Sequence, residues 1–267
     1  MKKILILSLL ILSPLQASFE QKGLGANHLA LSLAGIASTS TDFAAYLNPA
    51  LLTMQPSNKA SFFYRNYYGM KDINQIALDG SFKLFDMPMG ICVNRFGNKL
   101  YGETTITAST AYKIDENVSL GIGSSFYFLE IQNYNQAWTF GISIAALYVL
   151  NDQLTLATVI TNINEPTIGE VKETLPLSAV LGICFKPLKE VELLVDIFKE
   201  DRYDFGYRFA TRISVLKRIN ILGGIREQIN SFSAGLEYET ENYSVSYGAD
   251  IHPELDISHA IGITYVF

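Results

Sequence analysis

The sequence predicts an all-β protein, a transmembrane up-and-down antiparallel β-barrel of about 14 strands with an N-terminal hatch or plug segment, on three observations. Apolar and polar residues alternate along nearly the whole chain after residue 58, as in strands with one apolar face. Hydrophobic residues make up 49% of the chain and charged residues 17%, yet no later stretch is apolar for long enough to span a bilayer as a helix. The chain ends on an aromatic residue, Phe267, which suits a last strand whose outer face meets lipid.

Residues 1–17 have the pattern of a signal peptide. Lys2 and Lys3 precede an apolar run over residues 4–12, and residues 13–17 supply a helix breaker and small residues. This order of basic, apolar and small residues is typical of a secretory signal. A membrane anchor is the alternative, but the apolar run is too short to cross a bilayer as a helix. We therefore expect export, with cleavage after Ala17.

Residues 18–58 are predicted to form the hatch or plug. They are rich in small and apolar residues and have no place on the lipid face if the later strands already close. A barrel of this size leaves an interior that needs either water or a plug. Asp42 is expected to cap a short helix, and Pro49 to interrupt it. The candidate gate residues are Asp42, Tyr46, Asn48, Pro49 and Ala50.

Residues 59–267 are predicted to form the transmembrane β-barrel. Tight polar turns alternate along the chain with longer or more irregular loops, which is the pattern of outer-membrane barrels with short periplasmic turns. An even number of strands returns the C-terminus to the periplasmic rim. The predicted strands begin near residues 59, 73, 88, 102, 117, 137, 153, 174, 190, 205, 218, 231, 242 and 258.

Alternation also predicts which charged side chains lie inside the barrel. An arginine that faces lipid at mid-depth costs about 2–4 kcal/mol, so arginines should point into the lumen or lie at a rim. Arg95 falls on the lipid-facing side of its strand and should therefore lie near the outer rim. Cys92 and Cys184 fall on lumen-facing positions, either as a disulfide or as two free thiols. The lumen candidates are Arg208, Arg212 and Arg226.

The last strand resembles the C-terminal signal of bacterial outer-membrane barrels. Its pattern has a terminal aromatic residue, a second aromatic two residues earlier and a glycine five residues before the end, here Phe267, Tyr265 and Gly262. The expected location is the cell outer membrane of a Gram-negative-type bacterium. The expected partners are outer-membrane lipid and the barrel assembly machinery.

No catalytic or metal-binding constellation is apparent. His28, His252 and His259 are scattered, whereas a metal site needs convergent ligands. Ser258 and His259 are adjacent in a strand, so their side chains point to opposite faces and cannot form a catalytic pair. The net charge of −6 and the absence of a basic patch argue against nucleic acid. We expect neither an enzyme nor a cofactor.

The segment from Asp42 to Met54 resembles the FadL-type outer-membrane transporter superfamily, whose members carry an aromatic residue shortly before Asn-Pro-Ala. Here that core is Tyr46-Leu47-Asn48-Pro49-Ala50. Within the superfamily the chain is most similar to the PorV/PorQ branch, through residues 25–31 and through residues 252–255 with His259.

The resemblance implies a fourteen-stranded barrel with an N-terminal hatch. FadL-type members pass hydrophobic molecules through the barrel and release them sideways into the membrane. PorV-type members instead bind secreted proteins for the type IX secretion system. The expected function is therefore passage or binding of hydrophobic small molecules through a plugged lumen. The alternatives are a partner in protein secretion or surface assembly, and a purely structural barrel.

Overall fold

A computed structural model describes residues 18–20, 22–55 and 58–267, and the predicted signal peptide lies outside these residues. Fourteen antiparallel strands form one closed barrel, which confirms the predicted fold class. Two further short strands pair with each other in a separate hairpin. No helix in the described ranges is long and apolar enough to cross a membrane.

The helices precede the barrel, except for one turn near its end. Helix α1 spans Ala26–Ala30 and α2 spans Ala44–Leu47, and 3₁₀ helices span Pro49–Met54 and Glu227–Ile229. The strands are β1 Lys59–Asn66, β2 Asn74–Leu84, β3 Met87–Gly97, β4 Tyr101–Lys113, β5 Val118–Ile131, β6 Ala137–Asn151, β7 Leu154–Thr161, β8 Thr167–Ile168, β9 Glu173–Thr174, β10 Ser178–Leu188, β11 Val191–Glu200, β12 Gly206–Leu216, β13 Ile219–Arg226, β14 Ser231–Glu239, β15 Tyr243–Ile251 and β16 Ser258–Val266.

The barrel closes by pairing its first and last strands. β1 and β16 are antiparallel along their whole length, from Lys59 opposite Val266 to Asn66 opposite His259. Every other barrel strand pairs with its neighbours in the chain, with β7 next to β10 because the β8–β9 hairpin lies between them. Closure pairs the first and last strands with each other, so neither of them presents a free edge to another chain. We call the rim with the short connections the turn rim, and the opposite rim the loop rim.

The two faces of each strand differ as alternation predicts. In β16, Ile261, Ile263 and Tyr265 are exposed, whereas Ala260 and Thr264 point inward and are buried. Large exposed apolar side chains continue around the outside of the barrel, and serine, threonine, glycine and charged residues face inward. The outside is therefore suited to hydrocarbon and the inside to water or packed protein.

The prediction for the start of the eighth barrel strand is wrong by four residues. The strand was expected near residue 174, but β10 begins at Ser178. Glu173 and Thr174 are extended, as predicted, yet they pair with residues 167–168 in the β8–β9 hairpin. Local alternation predicts an extended chain and cannot specify which strand it pairs with.

Residues 22–55, which we call the inner segment, lie within the barrel against lumen-facing glycines. A Cβ atom added to Gly248 would lie 2.3 Å from the carbonyl oxygen of Ala26, and one added to Gly235 would lie 2.4 Å from the Cβ of Ala30. On the opposite wall, a Cβ at Gly121 would lie 2.3 Å from the amide nitrogen of Ala50. Such distances leave no room for a larger residue at these glycines. The inner segment therefore packs directly against the backbone of the barrel wall.

The expected helix cap at Asp42 is wrong. Phe43 occupies the N-cap position of α2, and no side chain caps this helix. The Asp42 carboxylate instead accepts a hydrogen bond from the Asn27 side-chain amide at 2.8 Å, which ties two parts of the inner segment together. The interruption expected at Pro49 is present, because α2 ends at Leu47 and a 3₁₀ helix begins at Pro49.

Candidate functional site in the barrel lumen

A large cavity opens at the loop rim, and we call it the mouth cavity. Its volume is about 830 Å³, which is within the range of small-molecule sites. Aromatic side chains form much of its wall, and charged side chains lie among them. The aromatic and imidazole residues that line it are Tyr67, Tyr68, Phe96, Tyr101, Phe198, Tyr203 and His252.

Two buried arginines, Arg65 and Arg208, and the partly buried Arg226 lie on the inner side of the mouth cavity. Asp250 pairs with Arg65 at 3.3 Å and with Arg226 at 3.4 Å, so one carboxylate serves two guanidinium groups. Arg208 donates a hydrogen bond to the carbonyl oxygen of Leu33 at 2.9 Å and lies 4.0 Å from the centre of the Phe198 ring. These contacts hold the inner segment against the wall on the side of the loop rim.

Arg212 lies in a different part of the lumen from Arg208 and Arg226. Its guanidinium group contacts Glu237 at 2.7 Å and Glu239 at 2.8 Å. The arginine and Glu237 are both buried, and the Glu239 side chain is about half exposed. This cluster belongs to the half of the barrel nearer the turn rim, away from the mouth cavity.

A second cavity, the side cavity, lies between the inner segment and strands β2–β7. It is narrow, about 40 Å³, which is room for about three water molecules. Glu20, Lys22 and Glu103 line both this cavity and the mouth cavity, so they mark the entrance from one to the other. Its other polar lining residues are Tyr46, Gln75, Asn94, Thr105, Thr107, Ser125, Tyr127, Ser143, Thr161 and Asn162.

Tyr46 separates the side cavity from a third space of about 30 Å³ that is lined by His28, Leu33 and Arg208. Burial raises the pKa of Tyr46 above its ordinary value, so its hydroxyl stays protonated. Burial, together with the charge of Arg208, lowers the pKa of His28 to about 3. The imidazole is therefore neutral at any physiological pH.

The wall beside the side cavity contains a seam. Pairing of β6 with β7 stops at Ile144 opposite Ile160, although β6 continues to Ala137 on the side of the loop rim. Beyond that point the Asn164 side chain takes the place of a strand. Its Oδ1 accepts from the amide of Ile142 at 2.9 Å, and its Nδ2 donates to the carbonyl of Phe140 at 3.0 Å.

Asn162 closes the same seam from the inside. Its backbone is left-handed, with a φ of 61°, which ends the extended run of β7. Its Oδ1 accepts from the Tyr127 hydroxyl at 2.9 Å, and its Nδ2 donates to the carbonyl of Pro176 at 2.8 Å. Sequence reasoning missed both asparagines. The signal available was Asn-Ile-Asn-Glu-Pro directly after a strand, a run that favours a turn.

Asn48, the central predicted gate residue, is fully buried and binds within the inner segment. Its Oδ1 accepts from the amide of Ala50 at 3.0 Å, and its Nδ2 donates to the carbonyl of Ile36 at 2.8 Å. The Asn48 side chain therefore ties this turn to another part of the inner segment and not to the barrel wall. The contact with the wall is made by Pro49 and Ala50, which lie against Gly121.

The other predicted residues are spread over the molecule. Gly262 faces inward, where an added Cβ would lie 2.6 Å from Ser246 Oγ and 3.4 Å from the Cβ of Ala26. Tyr265 and Phe267 stack outside the barrel with ring centres 6.0 Å apart. Arg95 is exposed and pairs with Glu130 at 3.0 Å near the loop rim.

The cysteines and histidines do not form a site. Cys92 and Cys184 are both buried and free. His259 points outward and lies 2.7 Å from the Tyr247 hydroxyl, and His252 accepts a hydrogen bond from the amide of Glu254. Within the described ranges, no three His, Cys, Asp or Glu side chains converge as a metal site would require.

The fold is similar to that of solved FadL-type channels. A structure of the CymD monoaromatic hydrocarbon channel aligns with a TM-score of 0.71 and 13% identity, over 94% of this chain and 99% of the other. The Pseudomonas putida toluene transporter TodX aligns with a TM-score of 0.68 and 11% identity, over 92% and 98%. A Pseudomonas aeruginosa FadL homologue aligns with a TM-score of 0.66 and 11% identity, over 91% and 98%.

These likenesses extend over almost the whole of both chains, so the chain has a FadL-like barrel fold. At such low identity they concern the fold alone. No family model and no curated protein matches the sequence. The narrower resemblance to the PorV/PorQ branch stays a prediction.

Proposed function

We propose that this protein is an outer-membrane channel that takes up hydrophobic small molecules and has no enzymatic activity. The observation that carries the proposal is a closed barrel whose lumen is occupied by its own N-terminal segment, beneath a mouth cavity with aromatic walls. The similar folds of a monoaromatic hydrocarbon channel and a toluene transporter support it. In this proposal, residues 1–17 direct export, and the loop rim faces outward.

The mouth cavity supports binding of small apolar solutes from the outside. Aromatic side chains offer large apolar surfaces that cost little side-chain entropy to order around a ligand. Burial raises the pKa of Tyr67 to about 12, so Tyr67 is a neutral donor that bonds to Gln75 Oε1 at 2.8 Å. The wall at this point therefore presents uncharged rings to a solute.

The route straight through the lumen is closed, which favours release through the wall. The inner segment contacts glycines on opposite sides of the barrel, and it cannot shift toward either wall without collision. At the seam between β6 and residues 162–164, regular strand pairing is replaced by the contacts of the Asn164 side chain and a backbone hydrogen bond from the Ile163 amide to the Ile142 carbonyl at 3.0 Å. Because Ser143, Thr161 and Asn162 line the side cavity at this seam, we propose the seam as the exit.

The function is tested by uptake of radiolabelled toluene in a deletion strain with and without the plasmid-borne gene. We expect the gene to restore uptake, and fractionation to place the protein in the outer membrane. Equal uptake by both strains would contradict the transport proposal. It would leave the secretion partner as the better hypothesis, to be tested by changes in the exposed loop at residues 252–256.

The exit is tested by locking the seam with a disulfide in a background that lacks Cys92 and Cys184. The pair Gly141→Cys and Asn162→Cys spans the seam, since a Cβ at Gly141 would touch the Asn162 side chain. The control pair, Ala145→Cys and Val159→Cys, joins directly opposed residues where β6 and β7 are already paired. We expect oxidation to reduce uptake only in the seam variant and a reductant to restore it. Equal effects in both variants would exclude the seam.

A further inference from the structure

We infer that the side cavity selects for solutes that carry a neutral hydrogen-bonding group, such as an aromatic alcohol, over plain hydrocarbons and over anions. The inference rests on the proposed transport function and narrows its substrate class. It arises from the lining of the side cavity, which borders both the mouth cavity and the seam.

Hydroxyl groups on neighbouring strands form most of the lining. On β4, β5, β6 and β7 the inward residues that border the cavity carry hydroxyl groups, apart from Glu103 and Gly123. Thr105 is opposite Tyr127 and Thr107 is opposite Ser125, whereas Ser143 on β6 is opposite Gly123, two residues along β5 from Ser125. A purely apolar solute would make few favourable contacts with such a surface.

Some of these groups are paired and others are open to a ligand. Thr107 and Ser125 share a hydrogen bond at 2.8 Å, so this pair is satisfied. Within the described residues, the side-chain hydroxyls of Tyr46, Thr105 and Ser143 make no hydrogen bond to the protein, and all three residues line the cavity. Water can satisfy them when the cavity is filled with solvent, but a hydrocarbon that displaces this water leaves them unpaired. A solute hydroxyl or carbonyl replaces the lost bonds.

The charges at the entrance disfavour anions. Lys22 is already paired with Glu103 at 2.8 Å and lies 4.2 Å from the centre of the Phe96 ring. Glu20 adds a second carboxylate, which accepts a hydrogen bond from the Tyr203 hydroxyl at 3.2 Å. The mouth cavity outside this entrance is lined by Arg65, Arg208 and Arg226, but a carboxylate that enters the side cavity must give up its water there, and the lysine at the entrance is already paired with a protein carboxylate.

The side cavity is so narrow that a solute must contact its lining. A space of about 40 Å³ holds water but no aromatic ring without displacement of a side chain. Tyr46 has open space on two sides, because it lies between the side cavity and the third cavity. A solute that passes therefore comes into contact with the hydroxyls of this wall.

The test is equilibrium binding to the full-length barrel in detergent, with toluene, benzyl alcohol and benzoate as labelled probes. These share one ring and differ in having no polar group, a neutral hydroxyl or a charge. We expect benzyl alcohol to bind about threefold to tenfold more tightly than toluene, the range expected for one net hydrogen bond, and benzoate to bind most weakly. The double variant Thr105→Val and Ser143→Ala should abolish the preference for the alcohol.

The matched control is Ser81→Ala, which removes a buried, unpartnered lumen hydroxyl that does not line the side cavity. It should keep the preference intact. Toluene binding as tightly as benzyl alcohol, or equal loss in the control, would overturn the inference while leaving transport itself in place. Failure of all three probes to bind, together with unchanged toluene uptake in the deletion strain, would instead refute the proposed function.

Discussion

Single polar side chains carry much of the organisation inside this barrel. Asn48 joins Ile36 to the start of the 3₁₀ helix, and Asn162 and Asn164 complete a wall that lacks strand pairing. The alternation of inward and outward residues along a strand correctly predicted that Arg208 and Arg212 face inward, because lipid excludes charge. It could not predict that Arg212 pairs with Glu237, since the two lie on β12 and β14 and meet only across β13.

Replacing Asn48 by alanine should loosen the inner segment without unfolding the barrel. The change leaves the Ile36 carbonyl and the Ala50 amide unpaired in a buried place, at a cost of about 1–3 kcal/mol for each group. We expect larger and noisier single-channel conductance in planar bilayers. Asn48→Asp keeps the acceptor for Ala50 and should give an intermediate effect, while Asn135→Ala at an exposed loop should give none. Identical conductance of Asn48→Ala and the wild type would refute a gating role.

Arg212→Met should destabilise the barrel far more than Arg95→Met. Removal of Arg212 leaves the buried Glu237 carboxylate without its countercharge, which typically costs about 3–5 kcal/mol. The Arg95–Glu130 pair is exposed on both sides, and pairs of this kind contribute about 0–1 kcal/mol. Urea unfolding in detergent measures both variants. Equal unfolding midpoints for the two variants would show that water already solvates the Glu237 carboxylate, so that it does not depend on Arg212.

Secondary-structure elements show where prediction from the sequence succeeds and where it stops. Alternation locates β1 and β16 at their observed starts because lipid and lumen impose a period of two on every strand. The loop at residues 162–177 is different, since Ile168 and Leu175 are buried against Tyr127 and Leu129 across the chain. Neither the β8–β9 hairpin nor the side cavity beneath it follows from local pattern, because both depend on which strands face each other.

Gly248→Val should displace helix α1 from the wall. The added side chain would collide with the backbone of Ala26, which cannot move aside as a flexible side chain could. We expect a folded barrel whose inner segment is open to protease and whose conductance is raised. Gly80→Val is the matched control, since Gly80 lies in a strand with nothing within 4 Å of the added atom. Equal protease resistance of the two variants would contradict close seating of α1.

At the scale of the whole molecule, the barrel is held closed by its ends. Deletion of Phe267 removes the hydrogen bond from its amide to the Asn58 carbonyl at 3.0 Å and the aromatic stack with Tyr265. We expect less folded protein in the outer membrane, measured by the shift between heated and unheated samples on a gel. Phe85→Ala, at another exposed aromatic residue beside a turn, is the control and should assemble normally. Normal assembly without Phe267 would show that the barrel assembly machinery does not need this terminal residue as a signal.

The position of α1 has a consequence for the order in which the molecule forms. This helix is near the start of the chain, yet the glycines that receive it lie in β14 and β15, more than 200 residues later. Contacts so distant in sequence form slowly and late. Helix α1 therefore cannot take its place in the lumen until the final hairpins exist, and a nascent chain interrupted before β14 has neither a sealed wall nor a place for this helix.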